Sequence, residues 1–387
     1  MQLTKRAERI KASATIKIAD KVRELESNGV HIINLSVGEP HFPTLDVIKK
    51  ATIRAIQENK THYSQSRGIP ELRELICQRL NDKYGSHLQA DKNILITPGA
   101  KQAILYVILA IIEEGDEVLI HTPAWVSFFE MVNIAGGKII QFNGSGKKDF
   151  NVTLNEVKKI VTKKTKLIIL NSPNNPTGKI IDEKVLREIS KYCIKRNTIL
   201  LCDEIYDEIV FDKRKNPSLL SVNHDLDNAI LINGFSKTYA MTGWRLGYVI
   251  STQDIINSLL KFQQHSITCP NTFTQFGAIV ALKRGDSFIK KALSVYSENR
   301  NILVKGFEKL KNFKLIKPEG GLYGFIDVSK INNNSTDFCL DLLDRCRVAA
   351  VPGVEFGKIG EGHIRICLAT DKKNIIEFLK RIKEVYE

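Results

Sequence analysis

A lysine becomes a nucleophile toward carbonyl groups when burial lowers its pKa and frees the amine. Lys237, in Ser236-Lys237-Thr238, follows the β-branched run Ala229–Ile232. The next segment, Met241-Thr242-Gly243-Trp244-Arg245, keeps an arginine near the same loop, and Gly234 and Gly243 allow close backbone approach there. Three more polar clusters also follow apolar runs: Pro98-Gly99-Ala100-Lys101, Asn171-Ser172-Pro173-Asn174-Asn175 and Asp203-Glu204-Ile205-Tyr206. Each alone has an ordinary explanation, since aspartates cap helices and Asn, Pro and Gly build turns. Together they offer an amine nucleophile, a carboxylate and an anion cradle. Gly99-Ala100-Lys101 opens a helical pattern. The free N–H groups and positive dipole end of such a terminus suit a phosphate. Arg245 would add a charge-assisted, two-pronged contact.

The elements that must carry these groups alternate. Predicted strands are Ile94–Thr97, Glu117–His121, Lys138–Phe142, Lys166–Leu170, Thr198–Cys202, Ala229–Ile232 and Tyr248–Ile250. Helical patterns such as Lys101–Glu113, Lys184–Arg196 and Thr252–His265 lie between them. Alternation of this kind predicts an α/β fold with a mostly parallel seven-stranded sheet between helices. Ligands then bind beyond the carboxyl ends of the strands, where all four clusters fall. The last third differs. A long helix, Asp286–Leu310, leads into short strands (Lys314–Ile316, Tyr323–Asp327, His363–Cys367) and a final helix, Lys373–Val385. We therefore expect a large domain over 44–285 and a smaller α+β domain over 286–387. Residues 1–43 are expected to pack with the small domain.

Composition narrows the function classes. Of 387 residues, 43% are hydrophobic and 26% charged, which is ordinary for a globular chain. No window reaches the roughly 18 uninterrupted apolar residues of a membrane span. The charged start, Met1 to Arg9, lacks a signal peptide's apolar stretch, so a cytoplasmic location is expected. The seven cysteines are odd in number, scattered and without C-x-x-C spacing, which argues against a disulfide framework or a zinc site. Cys202, within Ile199-Leu200-Leu201-Cys202, reads as a buried thiol. The net charge of +14 is spread along the chain and interleaved with glutamates. That describes a solvated basic surface rather than a nucleic-acid site.

The run from Phe235 to Tyr248, Phe-Ser-Lys-Thr-Tyr-Ala-Met-Thr-Gly-Trp-Arg-Leu-Gly-Tyr, resembles the cofactor-lysine motif of class I aminotransferases. These are fold-type-I enzymes of pyridoxal 5'-phosphate (PLP), and the likeness is to their bacterial aspartate aminotransferase branch. It extends from Ser36-Val37-Gly38-Glu39-Pro40 to His363-Ile364-Arg365. The resemblance implies that Lys237 holds the cofactor as a Schiff base and moves the substrate's Cα proton. It implies that Asp203 pairs with the pyridine nitrogen and that Tyr206 and Asn175 bond the cofactor's 3-oxygen. Gly99, Ala100, Lys101, Ser236 and Arg245 would hold its phosphate end, and Trp125 would stack on its ring. Tyr63 would reach the phosphate of a neighbouring subunit, implying a homodimer with shared sites. Gly38, Trp125, Asn175 and Arg365 would meet the substrate, with Arg365 clamping its α-carboxylate. One departure is Gly234, which stands where relatives often carry a Ser or Thr phosphate donor.

The activity so implied is ping-pong transfer of an amino group between an L-amino acid and a 2-oxo acid. Aspartate with 2-oxoglutarate ranks first. Aromatic, alanine or prephenate transamination follows, then carbon–sulfur lysis on the same fold. A DNA-binding regulator built on this fold would need an added module, and the chain has no spare segment for one. An aspartate site needs a cation for the side-chain carboxylate. The region of Ser13-Ala14-Thr15, the helix after Lys101 and the partner subunit are candidate sources. The face Ile104–Leu109 is apolar and supplies none.

Overall fold

The computed structural model describes residues 4–10, 15–143 and 149–387. Its centre is a seven-stranded sheet. In chain order the strands are β1 (Ile94–Thr97), β2 (Glu117–His121), β3 (Lys138–Phe142), β4 (Thr165–Asn171), β5 (Ile199–Asp203), β6 (Ala229–Gly234) and β7 (Gly247–Ile250). Across the sheet the order is β1-β7-β6-β5-β4-β2-β3. β7 runs antiparallel to both neighbours, and the other pairs are parallel. The mostly parallel sheet expected from the sequence is therefore present.

The strands read as unbroken apolar runs because both faces are covered. Alternate side chains enter different cores. Ile168, Leu170, Leu200, Cys202 and Leu231 face one core, while Leu167, Ile169, Leu201, Ile230 and Ile232 face the other. Full burial of each such side chain stabilises by about 1.5–3 kcal/mol before entropy is counted. Helix α1 (Ala100–Ile111) buries Ile104, Val107 and Ile108 in the second core. Helix α2 (Glu183–Arg196) buries Leu186 and Ile189 in the first and starts on the Asp182 side chain, which accepts from the Lys184 N–H. Helix α3 (Gln253–Ser266) buries Ile256 and Leu259 in the second.

A third core joins the chain's two ends. Helix α4 (Asp286–Phe307) and helix α5 (Lys372–Tyr386) contribute Tyr296, Leu303, Ile375 and Phe378, and Val22, Ile33 and Leu35 come from the N-terminal region. Ile33–Asn34 pairs in parallel with Val348–Ala349. A four-stranded antiparallel sheet packs here, made of β8 (Lys314–Ile316), β9 (Tyr323–Asp327), β10 (Val351–Pro352) and β11 (His363–Cys367) in the order β10-β11-β9-β8. Helix α4 stops at Phe307 rather than Leu310. The Lys309 and Leu310 N–H groups bond three residues back, to Gly306 and Phe307, which is turn geometry. Cys202 is 4% exposed, as a buried thiol should be. No helix among the described residues is long and apolar enough to cross a membrane.

Candidate active site

β4, β5 and β6 all end on one side of the sheet, at Asn171, Asp203 and Gly234. Their ends open on a cleft of about 620 Å³ that also takes walls from β9, β11 and the segment around Gly38. Gly38, Ala100, Lys101, Trp125, Asn175, Asp203, Tyr206, Ser236, Lys237, Arg245 and Arg365 all line it. Neither Gly99 nor Tyr63 lines it, and Tyr63 is 83% exposed.

The Lys237 Nζ donates to the Gly38 carbonyl at 2.6 Å. Burial lowers its amine to about 8, and Arg365 and Arg245 add to the effect. A substantial neutral fraction at physiological pH follows, which is what a nucleophilic lysine needs. Asp203, paired in register with Asn171, closes β5. Its carboxylate accepts the Ile205 N–H at 3.1 Å. Burial pushes that carboxyl up to about 7, despite the opposing pull of the Ile205 N–H and Lys237. A buried carboxylate this uncomfortable is a ready partner for a cation placed beside it.

Gly99 has φ 86°, a left-handed conformation that glycine adopts freely, and it turns β1 into α1. A Cβ there would lie 2.8 Å from an Arg245 guanidinium nitrogen. Gly247 lets the same helix end approach the sheet, since a Cβ on it would sit 2.5 Å from the Ala100 nitrogen. The departure at Gly234 has a similar cause: a Cβ would come within 2.9 Å of the Gly247 Cα. Close strand contact there leaves no room for a hydroxyl donor. Arg245 itself is held at φ 53°, with one nitrogen donating to the Thr242 carbonyl at 3.0 Å. That backbone costs about 1–2 kcal/mol, and it aims the guanidinium at the N-terminus of α1. Lys101 stands near, 5.0 Å over the Trp125 ring, its amine lowered by burial and by Arg245.

Arg365, from β11, also lines the cleft and is 8% exposed. It donates to the Asn175 side-chain oxygen at 3.2 Å and to the Ser36 carbonyl at 2.7 Å, and its buried Nε has no partner among the described residues. Two residues that the sequence reading left without a role complete the site. Asn171 accepts the Asn175 N–H at 2.7 Å and donates to the Asp203 carbonyl at 2.9 Å. Tyr323 bonds Tyr206, hydroxyl to hydroxyl, at 2.9 Å. Asn171 lay inside a cluster already noted at a strand exit, and that position was its signal. Tyr323 had only a glycine pair before its strand, which points to no chemistry.

Residues 30–382 match the family described as aminotransferase class I and II. The chain belongs to that family. A probable aspartate aminotransferase of Methanocaldococcus jannaschii is 41% identical over 361 residues, 92% of this chain and 93% of that one. An aspartate aminotransferase of Pyrococcus abyssi is 36% identical over 367 residues, 94% of each chain. The solved structure of an aspartate aminotransferase from Thermus thermophilus with maleate superposes with a TM-score of 0.94 at 32% identity, covering 100% of each chain. As a family member this chain is a PLP-dependent transaminase.

The residues present fit PLP. The cleft holds a buried carboxyl that would pair with a ring cation, a buried amine of lowered pKa that would join its aldehyde, and a helix N-terminus with Arg245 that would take its phosphate. Arg365, whose buried Nε has no partner among the described residues, lines the same cleft.

Proposed function

We propose that this aminotransferase moves the amino group of aspartate to 2-oxoglutarate by a ping-pong cycle in which Lys237 is both the cofactor's anchor and the base. One observation carries the reading. A buried amine lowered to about 8 shares a cleft with the buried Asp203 and with the Arg365–Asn175 pair. When bound, PLP supplies the electron sink for the charge left at the substrate's Cα.

The protein's own groups do the rest. Arg365 grips the substrate α-carboxylate, with Asn175 beside it fixing the guanidinium plane. Freed Lys237 would take the substrate's Cα proton and carry it two atoms along, past the substrate nitrogen, to the cofactor carbon bonded to that nitrogen. The Gly38 carbonyl, which now accepts from Nζ, offers it a resting place between transfers. Asp203 keeps the ring nitrogen cationic, and Tyr206 and Asn175 hold the ring oxygen. Gly99, Ala100 and Lys101 take the phosphate end through the backbone that opens α1, with Ser236 and Arg245, and the Trp125 ring packs on the cofactor.

For the second carboxylate of aspartate we assign the side chain of Lys101, an exposed cation on the cleft wall. Of the other candidates, Ser13 and Ala14 lie outside the described residues, and Thr15 begins the helix Thr15–Ser27. We further assign residues 44–285 as the cofactor-binding domain and 286–387 as the small domain, with 1–43 packed on the latter. We also assign a homodimer in which the exposed Tyr63 reaches the partner's phosphate site. A cytoplasmic location suits the free, mostly buried cysteines.

A panel of amino donors, followed by absorbance in the half-reaction and then with 2-oxoglutarate, tests the reading. Aspartate should convert fastest. Faster turnover of aromatic donors, alanine or glutamate with prephenate would move the substrate elsewhere. Release of ammonia and pyruvate from cysteine or cystathionine would make the protein a lyase.

A further inference from the structure

Tyr323 stands where the two halves of the cleft meet, and its two ends touch different machinery. Its hydroxyl lies 2.9 Å from that of Tyr206 and donates to the Gly38 carbonyl at 3.4 Å. Its ring face carries the Arg365 guanidinium, 4.4 Å from the centroid. The side chain is 2% exposed, so neither end has water as a substitute. A Cβ on residue 38 would come within 2.6 Å of this hydroxyl, so the contact depends on Gly38 being glycine.

We propose that Tyr323 is a positioning residue that sets both the substrate-carboxylate clamp and the direction of the Tyr206 proton. The inference rests on the functional reading above. Tyr206 has one proton, and the cofactor's ring oxygen lies on its cleft side in that reading. With the Tyr206 proton committed to that oxygen, the 2.9 Å bond between the tyrosines takes its proton from Tyr323, which gives up its longer bond to the Gly38 carbonyl. Donation into the Tyr206 oxygen polarises its O–H and makes it a stronger donor to an anionic oxygen. The ring acts separately. An arginine stacked on an aromatic face out of water is held flat, as two-pronged carboxylate binding requires. Thus one side chain, from a strand with no other group in the reaction, orients two that touch reactants.

The two ends can be tested apart in the holoenzyme. Tyr323→Phe removes only the hydroxyl. It should raise the pH midpoint of the lysine-bound cofactor's visible band by about half a unit and lower kcat about fivefold. KM for aspartate should stay within about twofold. Tyr323→Leu removes the ring as well. It should show the same midpoint shift and raise both KM and the inhibition constant of succinate about tenfold. A Tyr323→Phe enzyme with wild-type midpoint and kcat overturns the hydroxyl role. Equal KM values for the two variants overturn the ring role. The Phe arm keeps the packing, so it decides the first question even if the Leu protein fails to fold. Absence of a Lys237-dependent band in the wild-type protein sinks the functional reading and this inference together. A normal band with unmoved Tyr323 variants sinks the inference alone.

Discussion

Arg365 donates to the Asn175 side chain at 3.2 Å across 190 residues of sequence, joining the small sheet to the end of β4. The bond leads further inward. Asn175 donates its N–H to Asn171, and Asn171 donates to the Asp203 carbonyl. The arginine expected to hold substrate is thus tied, through two asparagines, to the strand end expected to hold the cofactor. Arg365→Lys keeps the charge but loses the planar fork. KM for aspartate should rise about 10- to 100-fold with a smaller change in kcat, since one or two charge-assisted bonds are lost. Steady-state kinetics with aspartate as donor checks this.

Lys237→Ala removes the amine that burial lowers to about 8. The purified variant should lack the pH-dependent visible band of lysine-bound cofactor. Transamination should fall by at least about 10³-fold, given the contribution of a positioned base. Normal turnover in that variant would falsify the assignment of the base.

Asp203 makes a pH-dependent stability prediction. Its folded pKa, about 7, lies above the 3.8 of an unperturbed aspartate. The folded state therefore binds more protons between those values, and its stability falls as pH rises through them. Asp203→Asn removes that penalty. In cofactor-free protein the variant should melt increasingly above wild type as pH goes from about 4 to 7. The gap above pH 7 should be on the order of a few kcal/mol. Bound cofactor should close the gap in the wild type and not in the variant. Melting curves at pH 5 and pH 8.5, with and without PLP, read both effects.

Lys101 decides between dicarboxylic and apolar donors. Lys101→Met should lower kcat/KM for aspartate by about 10- to 100-fold, the worth of one charge-assisted bond. Phenylalanine and alanine should change by only a few-fold. Equal losses for all donors would mean that Lys101 serves the cofactor, not the substrate side chain.

Tyr63 is 83% exposed in the single chain. If it serves a neighbouring site, the protein should sediment as a dimer, and Tyr63→Phe should weaken PLP binding several-fold without altering melting of the cofactor-free protein. A monomer with full activity would contradict the shared-site arrangement.

The sequence by itself determined the sheet, the helices around it and the local chemistry at each strand exit. A parallel sheet covered on both faces demands long β-branched runs, and those are visible without coordinates. It also puts the carboxyl ends of all its strands but the antiparallel β7 on one side, so Gly99, Asn175, Asp203 and Lys237 could be expected in one cleft from spacing and resemblance. Strand ends were legible to within a few residues, with β4 and β6 running on to Asn171 and Gly234. What tertiary structure alone decided is contact between segments remote in sequence. Tyr323 reaches the Gly38 carbonyl across 285 residues, and nothing local to a short strand after two glycines announces that. The close approach of Gly234 to Gly247, which excludes a hydroxyl donor, likewise follows from the antiparallel fit of β6 and β7. The nucleophilic role proposed for Lys237 depends on the same kind of contact. Its residue type is in the sequence, but its lowered pKa comes from burial, which exists only once Arg365, Gly38 and Tyr323 have closed the cleft around it.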